Sequence, residues 1–430
     1  MRDPMGLSNA MIRTPKLAPS VRPTLTGKYY AGFQGPFVED VLSHLRVTRE
    51  HVLLDPWNGS GTTTRVGADQ GISVIGVDIN PVLVVVAKGR LLSASVSQSL
   101  LSLAAEVIAR SRVDKTPPVE GEALEQWFTR GTARYLRSLE RSVHHLLVGP
   151  PADMTTAEGL DRESSLAAWF YAALFETVRS FVGVYQTTNP TWIRVRADAA
   201  GISVPRDAID ARLRAITKRR QREISRVCEA VGEPTQRLIL GSSTTLSGLA
   251  KGSVDACLTS PPYCTRIDYA VLTRPELAVL TMGAGDEMRA LREETIGTTT
   301  IAPTVPTVSD SWGDYVVKTL ETISAHDSKA SKTYYLKYYL QYFDNMYRSL
   351  EALRRVTKER SPFGLVIQDS YYKEVHIDLA RAMTELAESH GWDLSERFDF
   401  KVPHRRANMN PAARQYKRGV RATESLLILR

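Results

Sequence analysis

Three observations predict an α/β fold, a doubly wound, mostly parallel sheet, for this 430-residue chain. Short apolar runs at 51–54, 72–77, 237–240, 254–258 and 363–368 alternate with helical patterns, as successive βα units do. A glycine-rich turn, Asp55-Pro56-Trp57-Asn58-Gly59-Ser60-Gly61-Thr62-Thr63, separates the first run from a stretch that can open a helix. An acid, Asp78, ends the second run a little under about 20 residues past those glycines, where open sheets grip nucleoside hydroxyls.

In order, residues 1–27 are rich in Pro, Thr and Arg without periodicity and are expected to form a flexible arm. A helical pattern then runs through Leu45, with Pro36 suited to its first turn. Strand one delivers Asp55; a helix follows Gly61, and its free amides favour an anionic ligand group. Strand two ends in Asp78-Ile79-Asn80-Pro81, where Asp78 either holds a ribose or caps the next helix. That helix is expected to run to about Arg112 and to close a cofactor-binding half at 28–112.

Residues 113–235 are too long for an ordinary connection and are expected to be an inserted helical subdomain, with helices around 122–148, 162–184 and 205–230. The last of these is amphipathic, with Ile209, Leu213, Ile216, Ile224 and Val227 on one side. Arg212, Arg219, Arg222 and Arg226 lie on another, either a ridge for phosphates or a solvated face.

The sheet resumes at 237–240, followed by Gly241-Ser242 and the fourth strand. Next comes Thr259-Ser260-Pro261-Pro262-Tyr263, whose prolines stiffen a loop at the end of that strand. Arg266 either contacts nucleic acid or pairs with Asp268. A second insertion, 271–332, reads as a lid or recognition region. Tyrosine-rich helix 334–356 suits core and rim packing. Strand five, a helix from about Glu374 to His390, and strands at 394–402 and 425–430 complete the second half, 236–430. Between the last two strands crowd His404, Arg405, Arg406, Arg414, Lys417, Arg418 and Arg421, the densest basic cluster in the chain.

Lys and Arg outnumber Asp and Glu by 55 to 47, a formal charge of +8, which favours a polyanionic partner or is simply a basic surface. Cys228, Cys257 and Cys264 give neither a disulfide framework nor a zinc spacing, so a reducing, cytoplasmic setting and no metal are expected. The start of the chain lacks a long apolar core and no run approaches about eighteen apolar residues, so neither a signal peptide, a membrane span nor a membrane partner is expected.

The DPWNGSGTT and TSPPY segments resemble the cofactor and catalytic loops of DNA amino-methyltransferases, which use S-adenosylmethionine to methylate exocyclic base nitrogens. The resemblance implies a Rossmann-like class I sheet of seven strands, the last two antiparallel at its edge. It implies cofactor contacts from Asp55, Pro56, Trp57, Gly59, Gly61, Thr62 and Asp78, with Phe33 either at the methionine end of the cofactor or in the core. Ser242 replaces the acid that the family commonly sets against the adenine amino group. Ser260 marks the cytosine-N4 type, since adenine-N6 members usually carry Asp or Asn there.

The chemistry fits these residue types. A cytosine amino lone pair is delocalised into the ring, and acceptors holding its hydrogens out of plane free it for attack. The Ser260 hydroxyl and Pro261 carbonyl are those acceptors; Pro262 stiffens the loop, and Tyr263 offers a ring to an extruded base. Cytosine-C5 methylation needs a nucleophilic cysteine, commonly after a proline, whereas Cys264 follows Tyr263.

The expected partner is double-stranded DNA, contacted by Arg219, Arg266, Arg405, Arg406 and Arg418. The setting is restriction-modification or another defence system, with a cognate endonuclease or defence protein as partner. Competing readings are an adenine-N6 enzyme, an RNA or protein-amide methyltransferase, and a non-catalytic DNA-binding subunit that keeps the fold.

Overall fold

The computed structural model describes residues 12–15, 34–117, 120–149, 153–182, 200–224, 234–264, 268–282, 285–401 and 423–430. Its strands are β1 (Val52–Asp55), β2 (Ser73–Asp78), β3 (Gln236–Leu240), β4 (Ala256–Thr259) and β5 (Phe363–Gln368). β6 (Ser370–Tyr372), β7 (Val375–Ile377), β8 (Leu394–Lys401) and β9 (Thr423–Leu429) follow. Seven strands form one sheet in the order β3-β2-β1-β4-β5-β9-β8. The first five are mutually parallel, and β9 enters antiparallel between β5 and β8, so β8 again runs with the parallel set. This is an α/β fold consistent with a class I methyltransferase.

Two-residue alternation explains why the central strands read as unbroken apolar runs: both faces of the sheet are covered. Leu53, Val74, Ala256, Leu258, Val366, Leu426 and Ile428 point to one core, closed by the helix Gly35–His44 through Phe37, Val38, Val41 and Leu42. Leu54, Ile75, Val77, Cys257, Leu365, Ile367, Leu427 and Leu429 point to the other. The helices Asp314–Ala325, Leu336–Val356 and Leu379–Glu388 cover that face, and Tyr338, Tyr339 and Tyr342 are buried there.

A third core belongs to the helices Pro81–Arg90, Leu100–Val113, Arg130–Leu147, Ser165–Val182 and Arg206–Ile224. Gly89 lets the first of these approach the fourth: a Cβ there would lie 2.9 Å from the backbone of Trp169. Among the described residues, no single helix is long and apolar enough to cross a membrane.

Part of the expected arm is fastened, and two expected helices are corrected. Within the stretch expected to be a flexible arm, Ile12 is buried and Arg13 Nε donates to Asp40 Oδ2 at 2.7 Å, so residues 12–15 are fastened to the first helix. The single helix expected from Pro81 to about Arg112 breaks after Arg90, and its two parts meet at 99°. The second part joins the helical core through Leu100, Ala104, Val107 and Ile108. Finally, the helix expected from about Glu374 starts only at Leu379, and β6 and β7 pair as a hairpin before it, turning at Lys373 with φ +54°.

Candidate active site

β1 and β4 are neighbours in register, Leu54 opposite Cys257, so their last residues reach the same edge of the sheet. There Thr259 Oγ1 donates to Asp55 Oδ1 at 2.6 Å, joining the two motif loops directly. The Trp57 amide donates to the same oxygen at 3.2 Å. Asp55 is buried, and burial foremost pushes its carboxyl from 3.8 up to about 6 against the opposing pull of these donors.

The turn after Asp55 is shaped from both ends. Gly59 and Gly61 take φ +50° and +77°, and a Cβ on Gly61 would meet that of Ala87 at 2.7 Å. Buried Asn58 accepts from Thr64 Oγ1 at 3.0 Å, while its amide donates to Val77 O at 3.0 Å, tying the turn to β2. Thr62 opens the following helix, and Pro56 is buried under the turn. Arg90 braces the outer side, donating to Ser60 O at 2.8 Å. Among the described residues, Trp57 Nε1 is a buried donor with no partner.

Asp78, at the tip of β2, accepts from the amides of Gly59 at 2.8 Å and Asn80 at 2.9 Å, and burial pushes it up to about 6. It is not the helix cap: Asn80 accepts from the Val82 amide at 3.1 Å and fills that role. Ser242 follows β3 at the same edge, its hydroxyl 2.8 Å from that of Thr244.

The Ser260–Tyr263 loop is held from behind. Tyr342 donates to Pro262 O at 3.2 Å, and Ser370 Oγ donates to Cys264 O at 2.5 Å. Among the described residues the Pro261 carbonyl accepts no hydrogen bond. Ser260 Oγ donates to the Tyr263 hydroxyl at 3.2 Å, which donates to Glu424 Oε1 at 2.7 Å. Tyr263 is 8% exposed; burial first, then Glu424, pushes its hydroxyl well above the ordinary range. Glu424 was not legible in the sequence: the strand pattern begins at Ser425, and the acid beside it looks like loop. Antiparallel β9 brings this buried residue to the same edge, opposite Gln368.

Side chains from several helices hold the segment after this loop. Asp268 caps the helix Tyr269–Leu272 and accepts from Arg292 Nε at 2.8 Å, its ion partner among the described residues. Asn80 Nδ2 donates to Thr273 Oγ1 at 2.8 Å from the β2 side. Arg179 pairs with Glu276, its Nε 2.6 Å from Oε1, and also donates to Leu272 O. Buried Arg137, clasped by Glu122 at 2.8 and 2.9 Å, donates to Ala278 O and Val279 O at 2.7 and 2.6 Å.

Of the expected DNA contacts, Arg219 is described: it is half-exposed and ion-paired with Glu176, while neighbouring Arg220 is fully buried 5.3 Å from the Trp169 ring centroid. Phe33, Arg266, Arg405, Arg406 and Arg418 lie outside the described residues.

No family model matches the chain. It is 23% identical over 282 residues to the Type II methyltransferase M.BsoBI of Geobacillus stearothermophilus, across 62% of this chain and 53% of that protein. The chain thus spans about half the length of the curated relative it matches.

Proposed function

We propose that this chain is a DNA methyltransferase that transfers a methyl group from S-adenosylmethionine to the N4 amino group of a cytosine swung out of duplex DNA. The observation that carries this reading is the Asp55–Thr259 hydrogen bond, 2.6 Å, which couples the glycine turn to the TSPPY loop at one sheet edge. The distant relationship to a Type II methyltransferase supports the same reaction class.

The residues present fit that cofactor. The Trp57 indole N–H, unpartnered among the described residues, and the free amides at the start of the helix Thr62–Asp69 would meet polar groups at its methionyl end. Asp78 is fixed where a ribose can be gripped, and Ser242 supplies one neutral acceptor for the adenine end. When bound, the cofactor supplies an electrophilic methyl on a good leaving group.

The chain's own part is orientation. Ser260 Oγ and the unoccupied Pro261 carbonyl accept the two amino hydrogens, and this contact strengthens as the nitrogen becomes tetrahedral. Tyr263 borders the base. Lys401 and Thr423 pair at the same edge, and the connection between them carries Arg405, Arg406 and Arg418, which we assign to the DNA backbone together with Arg219 and Arg266. A cytoplasmic restriction-modification or defence setting with a partner endonuclease suits such an enzyme.

The test is incubation with labelled methyl donor and mixed duplex DNA, followed by nucleoside mass spectrometry. N4-methylcytosine is expected, and N6-methyladenine or label on RNA or protein would overturn the assignment. Ser260→Ala should abolish turnover and leave donor binding intact.

A further inference from the structure

We propose that Glu424 is a positioning residue for methyl transfer, fixing through Tyr263 the direction in which the Ser260 hydroxyl accepts; this rests on the transferase reading above. A serine hydroxyl both donates and accepts. It can take a hydrogen from the target amino group reliably only if its own proton is committed elsewhere.

Here that commitment is built in. Ser260 Oγ donates to Tyr263 Oη at 3.2 Å and Tyr263 Oη donates to Glu424 Oε1 at 2.7 Å. A carboxylate only accepts, so the chain of three has one polarity, from serine to glutamate, and leaves the serine lone pairs for the substrate. Glu424 and Tyr263 are 2% and 8% exposed, so water does not scramble the two rotors. Glu424 is also fixed by the sheet, opposite Gln368 on one side and Phe400 on the other. A buried acid near the head of β9 costs stability, and a task at the reacting edge accounts for its presence. Glutamine in its place keeps the size but adds a donating amide, which lets the chain run backwards and turns the Ser260 proton toward the base.

Steady-state methylation of mixed duplex DNA by the full chain tests this, with Ser260→Ala as reference. Glu424→Gln should lower kcat on the order of 10²-fold, the effect of losing one preorganised group, with KM for DNA and donor affinity within about threefold. Tyr263→Phe should match it. The double variant should be no worse than about threefold below either single, since both break one chain. Glu424→Asp should recover kcat to within about tenfold of wild type.

Wild-type kcat in Tyr263→Phe, losses that multiply in the double variant, or an effect confined to KM would each overturn the proposal. Should Glu424→Gln fail a thermal-melt check of folding, Tyr263→Phe decides alone. If Ser260→Ala is inert while Tyr263→Phe and Glu424→Gln are fully active, only the positioning role falls. If Ser260→Ala is active, the transferase reading of this loop falls with it.

Discussion

Replacing Asp55 by Asn should raise stability and lower function at once. The carboxyl is 4% exposed and pushed from 3.8 to about 6, with burial outweighing its hydrogen bonds. A carboxyl raised on folding binds more protons in the native state between those two values. The stability it contributes is therefore complete below about 3.8 and lost as pH rises through about 6. Summed over that window, the ionised group costs the native state about 1 kcal/mol at pH 4.5 and about 3 kcal/mol at pH 7.5.

Asparagine keeps the oxygen that accepts from Thr259 and removes the charge. Paired urea titrations of wild type and Asp55→Asn should show the variant more stable by up to about 3 kcal/mol at pH 7.5, the gap narrowing to about 1 kcal/mol at pH 4.5. Calorimetry should show weaker binding of the methyl donor at pH 7.5, because a neutral side chain holds the Trp57 amide and Thr259 hydroxyl less firmly than a carboxylate does. A variant less stable than wild type at pH 7.5, or a gap that ignores pH, would refute the view that burial rather than its donors governs this carboxyl.

Asp78→Ala removes the acceptor of the Gly59 and Asn80 amides and should weaken donor binding about tenfold or more, the scale of one hydrogen bond to a charged group; unchanged affinity by calorimetry would reduce Asp78 to a brace for the turn. Gly89→Ala would stabilise an exposed helix, but here the methyl meets Trp169 backbone at 2.9 Å, so a loss of about 1–3 kcal/mol is expected in thermal unfolding. Neutralising Arg405, Arg406 and Arg418 together should weaken DNA binding regardless of sequence and flatten its salt dependence by about 3 in log–log slope, measured by fluorescence anisotropy.

The parts of this molecule that were legible in sequence are those governed by short periods and backbone chemistry. Apolar runs near residues 53, 75, 239, 257 and 365 placed five strands within two or three residues, because a sheet covered on both faces needs continuous apolar strands. The glycines of the first turn and the Pro36 helix start were likewise read from local conformational demands. The β6–β7 hairpin was missed because its turn uses Lys373 in the left-handed region without glycine or asparagine. Glu122, Arg137, Arg179 and Glu276 look like solvated helix charges, yet they are buried or half-buried partners that fasten the helical core to the segment after the Ser260–Tyr263 loop. Glu424 and the Asp55–Thr259 link depend on residues far apart in the chain, which no local pattern records.

That last link bears on how the molecule is made. Asp55 and Thr259 are 204 positions apart. At about 5–20 residues per second, roughly 10–40 s of synthesis separate their emergence from the ribosome. Throughout that interval β1 has an open flank where β4 will later add, and a nascent acid awaits its hydroxyl. The growing chain therefore offers chaperones a sticky strand edge long before a ligand can stabilise it, and expression at lower temperature or with added holdase should raise the soluble yield.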